Sequence, residues 1–437
     1  MLRLVRFCIL TTCIFSAASE PSQAEETQPA APFAFGDFTW MNGQSRQTSF
    51  PMKPWGDAVT PSIYLDVNYA YSSNHPIDNT LTGGSSVSRH NEVGINLASI
   101  GVEWNYKNVI GRLALQAGNT LSIVQDLDGT AVRGRSLTVQ NLRYVREATA
   151  GYHFNVARGL NLEGGIFVSY IGLESYLLAE NWNYNRSMAC DHTPFYFQGI
   201  RAQFFPTDRI KIEPWLMNGW QTYGKWNFAP SAGIAFRWSP TEPVTLITNF
   251  YTGTDTQGIA DRVRFHNDHS LVVRYFNRPS AAFISKAAFS LNNHVGFEAG
   301  GVDATGAALP GPGQAHMVGT SLVNRVWFFR DHLAFSIRPE LFSNPTSYLA
   351  QYPPPGFPIG PGTKALQAWG LTGTFDVMPT DFFALRFEGM YRRASVPYFA
   401  GPGGTTSPNG YQPTPAGFIP DATNHQALLT IAANFRL

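Results

Sequence analysis

Residues 63–71 read IYLDVNYAY. Every second residue from Ile63 to Tyr71 is apolar or aromatic, and most of the residues between them are polar or small. Successive side chains of a β-strand point to opposite faces, so this alternation predicts a strand with one apolar face and one mostly polar face. Such a strand separates water from an apolar environment, which is either a protein core or a membrane.

The same alternation returns along the chain as far as its last residue, with further examples at 112–117, 160–169, 333–338, 383–392 and 429–437. The connections between these strands are tight and long in turn. The tight turns are predicted at Lys107–Ile110, Asn155–Gly159, Phe205–Arg209, Ser239–Pro243, Asn277–Ser280, Arg330–His332 and Pro379–Asp381. The long loops are predicted near 72–90, 119–138, 171–193, 221–228, 253–267, 290–315, 343–364 and 393–422. Seven turns and eight loops make fifteen connections, and hence sixteen strands.

An even number of strands with short periplasmic turns and long extracellular loops is typical of an outer-membrane β-barrel. Aromatic residues lie beside all seven tight turns, for example Trp104, Phe205 and Trp238, as in an aromatic girdle at a membrane interface. We therefore predict an all-β fold, a transmembrane antiparallel up-and-down β-barrel of about 16 strands. The alternative is a soluble β-sandwich or propeller, in which the apolar faces of the strands would be buried against each other.

The beginning of the chain has the layout of a secretory signal peptide, predicted at 1–24. Arg3 and Arg6 precede an apolar run at 7–18, and Ser22-Gln23-Ala24 is a small-x-small cleavage site. A lipoprotein site at Cys13 is a weaker alternative. Residues 25–60 are predicted to form a periplasmic N-terminal extension or partial plug, and residues 61–437 the barrel. These features place the protein in the outer membrane of a Gram-negative cell.

Catalytic and metal-binding motifs are weak in this sequence. The nearest catalytic combinations are Asp268-His269-Ser270 and Ser73-Asn74-His75, and neither lies in a nucleophile elbow. His266 and His269 are predicted near a loop edge, where ordinary loop residues are a better interpretation than metal ligands. We predict no enzyme activity, cofactor or metal. Cys190, the one cysteine after the predicted signal, is interpreted as an unpaired loop residue. A net charge of +1 gives no indication of a nucleic-acid partner.

Several aromatic and polar runs resemble the β-barrel porin-2 (OmpL-like) family. These runs are Phe38-Thr39-Trp40-Met41-Asn42-Gly43, Ser169-Tyr170-Ile171-Gly172-Leu173, Glu180-Asn181-Trp182-Asn183-Tyr184 and Ile212-Glu213-Pro214-Trp215-Leu216-Met217-Asn218-Gly219-Trp220. The resemblance extends over most of the chain after the predicted signal, and it implies an outer-membrane barrel with porin activity. It implies no substrate and no functional residues.

The polar face of the strands gives the candidate pore residues, because about sixteen strands leave an aqueous channel. If the apolar face contacts lipid, the candidate pore-lining residues are Arg112, Arg201, Arg237, Arg338, Arg386, Glu388 and Arg392. The same alternation turns Glu163, Glu213 and Glu340 inward. One interpretation is a basic ladder that favours anions, and the other is a set of charge pairs that only keep the lumen wet.

The connection at 171–193 is the candidate constriction. Its chemistry-bearing residues are Glu174, Glu180, Trp182, Arg186 and Asp191, and a short helical turn is predicted within Leu173–Glu180. In general porins the corresponding loop folds inward, which leads to the hypothesis that this loop narrows the pore. An outer lid or a subunit contact is the alternative.

The function predicted from these features is passive diffusion of small hydrophilic solutes or ions through a water-filled porin. The alternative is a plugged structural, adhesive or receptor-like barrel, with residues 25–60 as the plug. The expected partners are outer-membrane lipids, lipopolysaccharide and small hydrophilic solutes. A homotrimer is expected only by analogy with other sixteen-stranded porins.

Overall fold

The computed structural model describes residues 31–128, 130, 139–225, 227–256, 258–345, 348 and 366–437. Within this part of the chain, sixteen antiparallel strands form one closed barrel. The first eight strands are β1 Val59–Ser72, β2 Val93–Tyr106, β3 Val109–Ala117, β4 Val145–Phe154, β5 Leu160–Val168, β6 Tyr196–Thr207, β7 Ile210–Met217 and β8 Ser231–Thr241. The next seven are β9 Val244–Gly253, β10 Val263–Asn277, β11 Ile284–Ala299, β12 His316–Phe328, β13 Leu333–Asn344, β14 Leu366–Thr380 and β15 Phe383–Ala394. The predicted fold class is confirmed.

The last barrel strand is β18 His425–Arg436, and it closes the barrel against β1. At this seam Ile63 and Leu437 exchange two backbone hydrogen bonds, of 2.8 and 2.9 Å. The two short strands before β18, β16 Phe399–Ala400 and β17 Ala422–Thr423, form a separate extracellular pair. The closed ring leaves no open sheet edge, as a barrel in a membrane requires.

The helical segments of the described residues are short and lie in the connections. They are α1 Leu121–Val124, α2 Val139–Leu142, α3 Met188–Asp191 and three 3₁₀ turns at Gly56–Ala58, Gln125–Leu127 and Leu178–Glu180. The last turn falls within the predicted helical segment at 173–180. None of the described helices has the length and apolar character needed to cross a membrane.

The exposure of side chains on the two faces of each strand explains why the alternation of polar and apolar residues predicts this fold. Arg338 and Glu340 on β13 are 0% and 4% exposed, whereas their neighbours Ile337 and Leu341 are 41% and 67% exposed. Charged side chains therefore face the interior, and the apolar side chains form the outer surface of the barrel. This arrangement suits lipid outside and a polar lumen inside.

The tight turns lie where the sequence predicts them. Between β2 and β3, for example, Lys107 and Asn108 have φ values of 48° and 66°, as a two-residue hairpin turn requires. Two of the long loops are shorter than predicted, because β10 begins at Val263 and β11 continues to Ala299. His266 and His269 therefore lie within β10 and not near a loop edge. The inward positions of both strands carry polar residues, whose composition resembles that of a loop.

Candidate functional site

The connection between β5 and β6, residues 169–195, folds into the barrel and is called the inner loop below. Tyr184, Ser187 and Cys190 of this loop are 0% exposed, although they lie in a connection on the extracellular side. The residues predicted for the constriction, Glu174, Glu180, Trp182, Arg186 and Asp191, all belong to it. The inner loop therefore occupies part of the lumen.

Charged side chains from the barrel wall hold the backbone of the inner loop. Arg338 donates to the Asn185 carbonyl oxygen at 2.6 Å, and Arg392 donates to the Arg186 carbonyl oxygen at 2.6 Å. Glu388 accepts hydrogen bonds from the Tyr184 and Asn185 N–H groups at 2.6 and 2.9 Å. A buried loop has no ladder partners for its backbone, and these charge-assisted bonds replace them.

A third guanidinium group binds the earlier part of the loop. Arg386 donates to the carbonyl oxygens of Leu178 at 2.8 Å and Asn181 at 2.9 Å. Its charge is balanced by Asp376, whose Oδ1 atom accepts from Arg386 Nε at 2.8 Å. The loop segment from Leu178 to Arg186 is therefore fixed along its length.

The guanidinium groups of Arg338 and Arg392 also have carboxylate partners. Arg338 pairs with Glu174 at 3.0 Å, and Arg392 pairs with Glu340 at 2.8 Å and with Asp191 at 3.3 Å. A buried charge without such a partner would cost several kcal/mol. Four of the seven candidate pore-lining residues thus lie against the inner loop and not against open water. These four are Arg338, Arg386, Glu388 and Arg392.

A second segment, residues 33–49, crosses the periplasmic mouth and is called the N-terminal strap below. At one end the Phe33 N–H donates to the Asp208 carbonyl oxygen, 2.8 Å away, in the turn between β6 and β7. At the other end Arg46 donates to the Thr380 carbonyl oxygen at 2.7 Å, and the Thr48 N–H donates to Asp381 at 3.0 Å. These turns belong to strands on nearly opposite sides of the ring.

The N-terminal strap contacts the inner loop inside the barrel. Trp182 donates from Nε1 to the Trp40 carbonyl oxygen at 3.0 Å, and from its backbone N–H to Asn42 Oδ1 at 2.8 Å. The Gly43 N–H donates to the Glu180 carbonyl oxygen at 3.1 Å. Although the sequence indicated a plug in general terms, it did not predict this contact. The feature of the sequence that could have indicated this contact is that both segments carry runs of aromatic and amide residues.

The inner loop and its partners fill the half of the lumen next to β10–β15, β18 and β1. Two cavities between described residues lie on the opposite side. The larger, about 430 Å³, is lined by Arg112, Arg237 and residues of the inner loop. The smaller, about 310 Å³, is lined by Arg112, Arg201 and Glu163. Because Arg112 and Val168 line both, the two cavities adjoin. These two cavities lie mainly along β2–β9.

The charges along this space are mostly paired. Arg112 pairs with Glu147 at 2.8 Å and also contacts Glu103, and Arg201 pairs with Glu163 at 2.9 Å. Lys211 pairs with Glu213 at 2.8 Å. Wall charges that are paired at these distances contribute little net field to the space between them.

Two guanidinium groups beside the larger cavity differ from the rest. Arg237 lies over the rings of Phe33 and Phe38, at 4.3 and 4.8 Å, and forms no ion pair with any described residue. Arg186 lies over the Phe195 ring at 4.3 Å, and its Nε and Nη1 atoms have no partner among the described residues. Both line the larger cavity, which therefore carries positive charge that the wall does not compensate.

The candidate catalytic and metal-binding residues do not assemble into a site. Along β10, Asp268 and Ser270 are buried in the interior, whereas His269 is exposed on the outer surface. A strand cannot bring neighbouring residues to one face, so these three cannot form a triad. Among the described residues no group of three or more His, Cys, Asp or Glu side chains could hold a metal ion. Cys190 is buried, with Sγ 3.4 Å from Asn292 Oδ1.

The barrel sequence matches a known protein family. The model of the family described as "Putative beta-barrel porin-2, OmpL-like" matches residues 58–437. The chain belongs to this family. It is an outer-membrane porin, and the match covers the whole barrel from β1 to the last residue. A search of curated proteins finds no match to this porin.

Solved structures show the same fold at very low sequence identity. The anion-selective porin from Comamonas acidovorans is 9% identical with a TM-score of 0.51, and the match covers 87% of this chain and 99% of that one. OprB of Pseudomonas putida, in its high-pH structure, is 10% identical with a TM-score of 0.51, and the match covers 87% and 94%. At such identity the likeness extends to the fold alone.

Proposed function

We propose that this porin lets small hydrophilic solutes and ions diffuse along the β2–β9 side of its lumen, and that it favours anions. The observation that carries the proposal is the division of the interior. The inner loop is packed against one half of the wall, and the two adjoining cavities lie along the other. The constriction would then be formed by the inner loop together with the N-terminal strap.

The anion preference follows from Arg237 and Arg186. Their guanidinium groups contact aromatic rings, which leaves the positive charge without a carboxylate partner among the described residues. In a narrow passage of low dielectric such a charge attracts anions more strongly than it would in bulk water. The paired charges of Arg112 and Arg201 keep the wall hydrated and add little to selectivity.

Planar-bilayer recordings test the proposal. We expect discrete conductance steps, and in a salt gradient a reversal potential whose sign indicates anion preference. Replacing Arg237 with Gln removes one uncompensated charge, and we expect the anion-to-cation permeability ratio to fall by about two-fold or more. The matched control is Arg330→Gln, since Arg330 is exposed in the turn between β12 and β13. An equal shift in both variants would contradict the proposed route.

A plugged structural or receptor-like barrel is the second candidate function. The observation in its favour is the direct contact between the N-terminal strap and the inner loop, where Trp40 and Asn42 bond to Trp182. In that case the folded protein would insert into bilayers without conducting. The recordings described above therefore separate the two functions.

The remaining assignments complete the proposed function. Transport would follow the concentration gradient and involve no covalent chemistry, so the porin would not be an enzyme. Residues 1–24 lie outside the described residues, and we propose them as the cleaved signal peptide that directs export. The proposed partners are outer-membrane lipids, lipopolysaccharide and small hydrophilic solutes, with no nucleic acid. The porin would also associate with copies of itself, with a homotrimer as the expected state.

A further inference from the structure

A row of polar side chains crosses the outer surface of four neighbouring strands. Thr248 on β9 lies opposite His269 on β10, His269 opposite Asn293 on β11, and Asn293 opposite Thr320 on β12. His269 is the seventh of the fifteen residues of β10, so the row lies near the middle of its strands. These four residues are called the polar row below.

The residues that continue the row on both sides are apolar. On β8 the residue opposite Thr248 is Phe236, and on β13 the residue opposite Thr320 is Leu341, which is 67% exposed. Most outward residues near the middle of the other strands are also apolar. Examples are Ile63, Ile100, Leu113, Ile200, Ile337, Leu371, Phe387 and Ile431. The polar row is therefore a local feature of the β9–β12 surface.

Internal hydrogen bonds satisfy only part of the polar row. Asn293 Nδ2 donates to Thr320 Oγ1 at 2.7 Å, and Thr248 Oγ1 lies 3.2 Å from His269 Nδ1. The other ring nitrogen of His269 has no hydrogen bond to a described residue. Below the row, Asn324 Nδ2 donates to the Tyr275 hydroxyl at 3.0 Å, which adds a further polar pair on the same surface.

Lipid is a poor environment for this surface. Acyl chains offer neither donors nor acceptors, so an imidazole or amide atom without a partner costs free energy there. Outward polar side chains in the lipid-facing band of a barrel destabilise it for the same reason. A protein surface that supplied donors and acceptors at the same depth would remove this penalty.

We propose that the β9–β12 surface is where a second copy of this chain docks. A second copy lies at the same depth in the same bilayer, so its own polar row would meet this one at matching height. The row is also self-complementary, because it contains donors and acceptors in the same residues, His269, Asn293 and Thr320. The exposed apolar side chains of Phe250, Phe265, Leu291 and Leu322 surround it and would pack around the polar centre.

The docking proposal rests on the self-association included in the proposed function, and it places the polar row beside the symmetry axis, where equivalent surfaces of the copies meet. It is independent of conduction, since the polar row lies outside the lumen. A monomeric but conducting protein would overturn the docking proposal and leave the pore intact. An oligomeric protein that never conducts would overturn the proposed pore function and leave the docking proposal intact.

Cross-linking from introduced cysteines tests the docking surface directly. His269→Cys places a thiol in the polar row, and Ile100→Cys places one on β2, eight strands away in either direction around the barrel. Both variants are treated with a short membrane-permeant bis-maleimide in outer membranes, and wild-type protein accounts for the buried Cys190. We expect a covalent dimer of this chain from His269→Cys and monomer from Ile100→Cys and wild type. Dimer in equal yield from both variants, no dimer from a folded His269→Cys barrel, or cross-links only to a different protein would overturn the proposal.

An apolar variant provides the second test. His269→Leu combined with Asn293→Leu and Thr320→Val suits a lipid-facing surface, so the barrel is expected to remain folded and heat-modifiable. We expect self-association in detergent, measured by analytical ultracentrifugation, to weaken about ten-fold or more through loss of interfacial hydrogen bonds. A variant that associates as tightly as wild type, or a wild type that is monomeric, would overturn the proposal.

Discussion

At the scale of single residues, Gly43 controls how closely the N-terminal strap approaches the inner loop. Its φ of +75° is unfavourable for residues with a Cβ atom, and a Cβ at this position would lie 1.9 Å from the Leu173 carbonyl oxygen. We predict that Gly43→Ala separates the strap from the loop at this point, because an added Cβ atom and the Leu173 carbonyl oxygen cannot lie 1.9 Å apart. The measurement is tryptic cleavage after Arg46 in reconstituted protein, together with single-channel current noise, and both should increase.

Gly56 provides the matched control for this substitution. It also has a positive φ, +65°, but no atom lies within 4 Å of the position of an added Cβ. Gly56→Ala should therefore carry only the backbone cost of about 1–2 kcal/mol and leave Arg46 protected. Equal cleavage in the two variants would show that the contact at Gly43 does not hold the strap.

At the scale of elements, the inner loop is the part of the chain expected to limit conductance. We predict that replacing residues 174–190 with a short Gly-Ser linker raises single-channel conductance by about two-fold or more, since this segment occupies the lumen. Heat-modifiable migration of the variant would establish that the barrel still closes.

A deletion of similar kind elsewhere controls for disturbance of the barrel. Residues 302–308 belong to the exposed loop between β11 and β12, so their removal should leave conductance unchanged. If the inner-loop variant conducts like the wild type, the inner loop is not the constriction. The N-terminal strap would then be the remaining candidate among the described segments.

The elements also show how far sequence reasoning extends. The succession of tight turns and long loops predicted sixteen strands. The period-two alternation predicted that Arg338 faces inward, because each strand has one lipid-facing side. The alternation could not predict that Arg338 is buried against the carbonyl oxygens of Asn185 and Arg186. Arg338 and Arg186 are 152 positions apart in the sequence, and alternation within a strand carries no information about contacts at that separation. The length of β10 was underestimated for a related reason, as its inward Arg264, His266 and Asp268 have the composition of a loop.

At the scale of the whole molecule, two sets of contacts close the barrel, namely the strand pairing within the membrane and contacts between loops on the extracellular side. Strands β1 and β18 pair along the seam, and the loops that follow β1 and precede β18 bind each other outside it. Asp78 joins these loops. It accepts hydrogen bonds from the Thr405 N–H at 2.6 Å and the Thr406 hydroxyl at 2.9 Å across the seam, and from the Thr80 N–H at 3.0 Å in its own loop.

The bonds at Asp78 give this extracellular closure a pH dependence. Burial alone would raise the pKa of Asp78, but the hydrogen bonds from Thr405, Thr80 and Thr406 outweigh it and lower the pKa below its ordinary value. A carboxyl whose folded pKa is depressed stabilises the structure above its unfolded pKa, about 4, and this stabilisation is lost as the pH falls through the lower folded pKa. We therefore predict that the two loops separate below about pH 4, measured as faster hydrogen exchange in residues 402–420.

Asp78→Asn should produce the same loosening at neutral pH, because the amide keeps the shape of the side chain and lacks its charge. Asp303→Asn is the control, since the pKa of Asp303 is also lowered, by hydrogen bonds from Thr305 and Ala307, yet these bonds lie within one loop. Protonation of Asp303 would loosen that loop without separating two others. If exchange at 402–420 is unchanged in Asp78→Asn, the strand seam alone holds the barrel closed and the loops above it contribute nothing to closure.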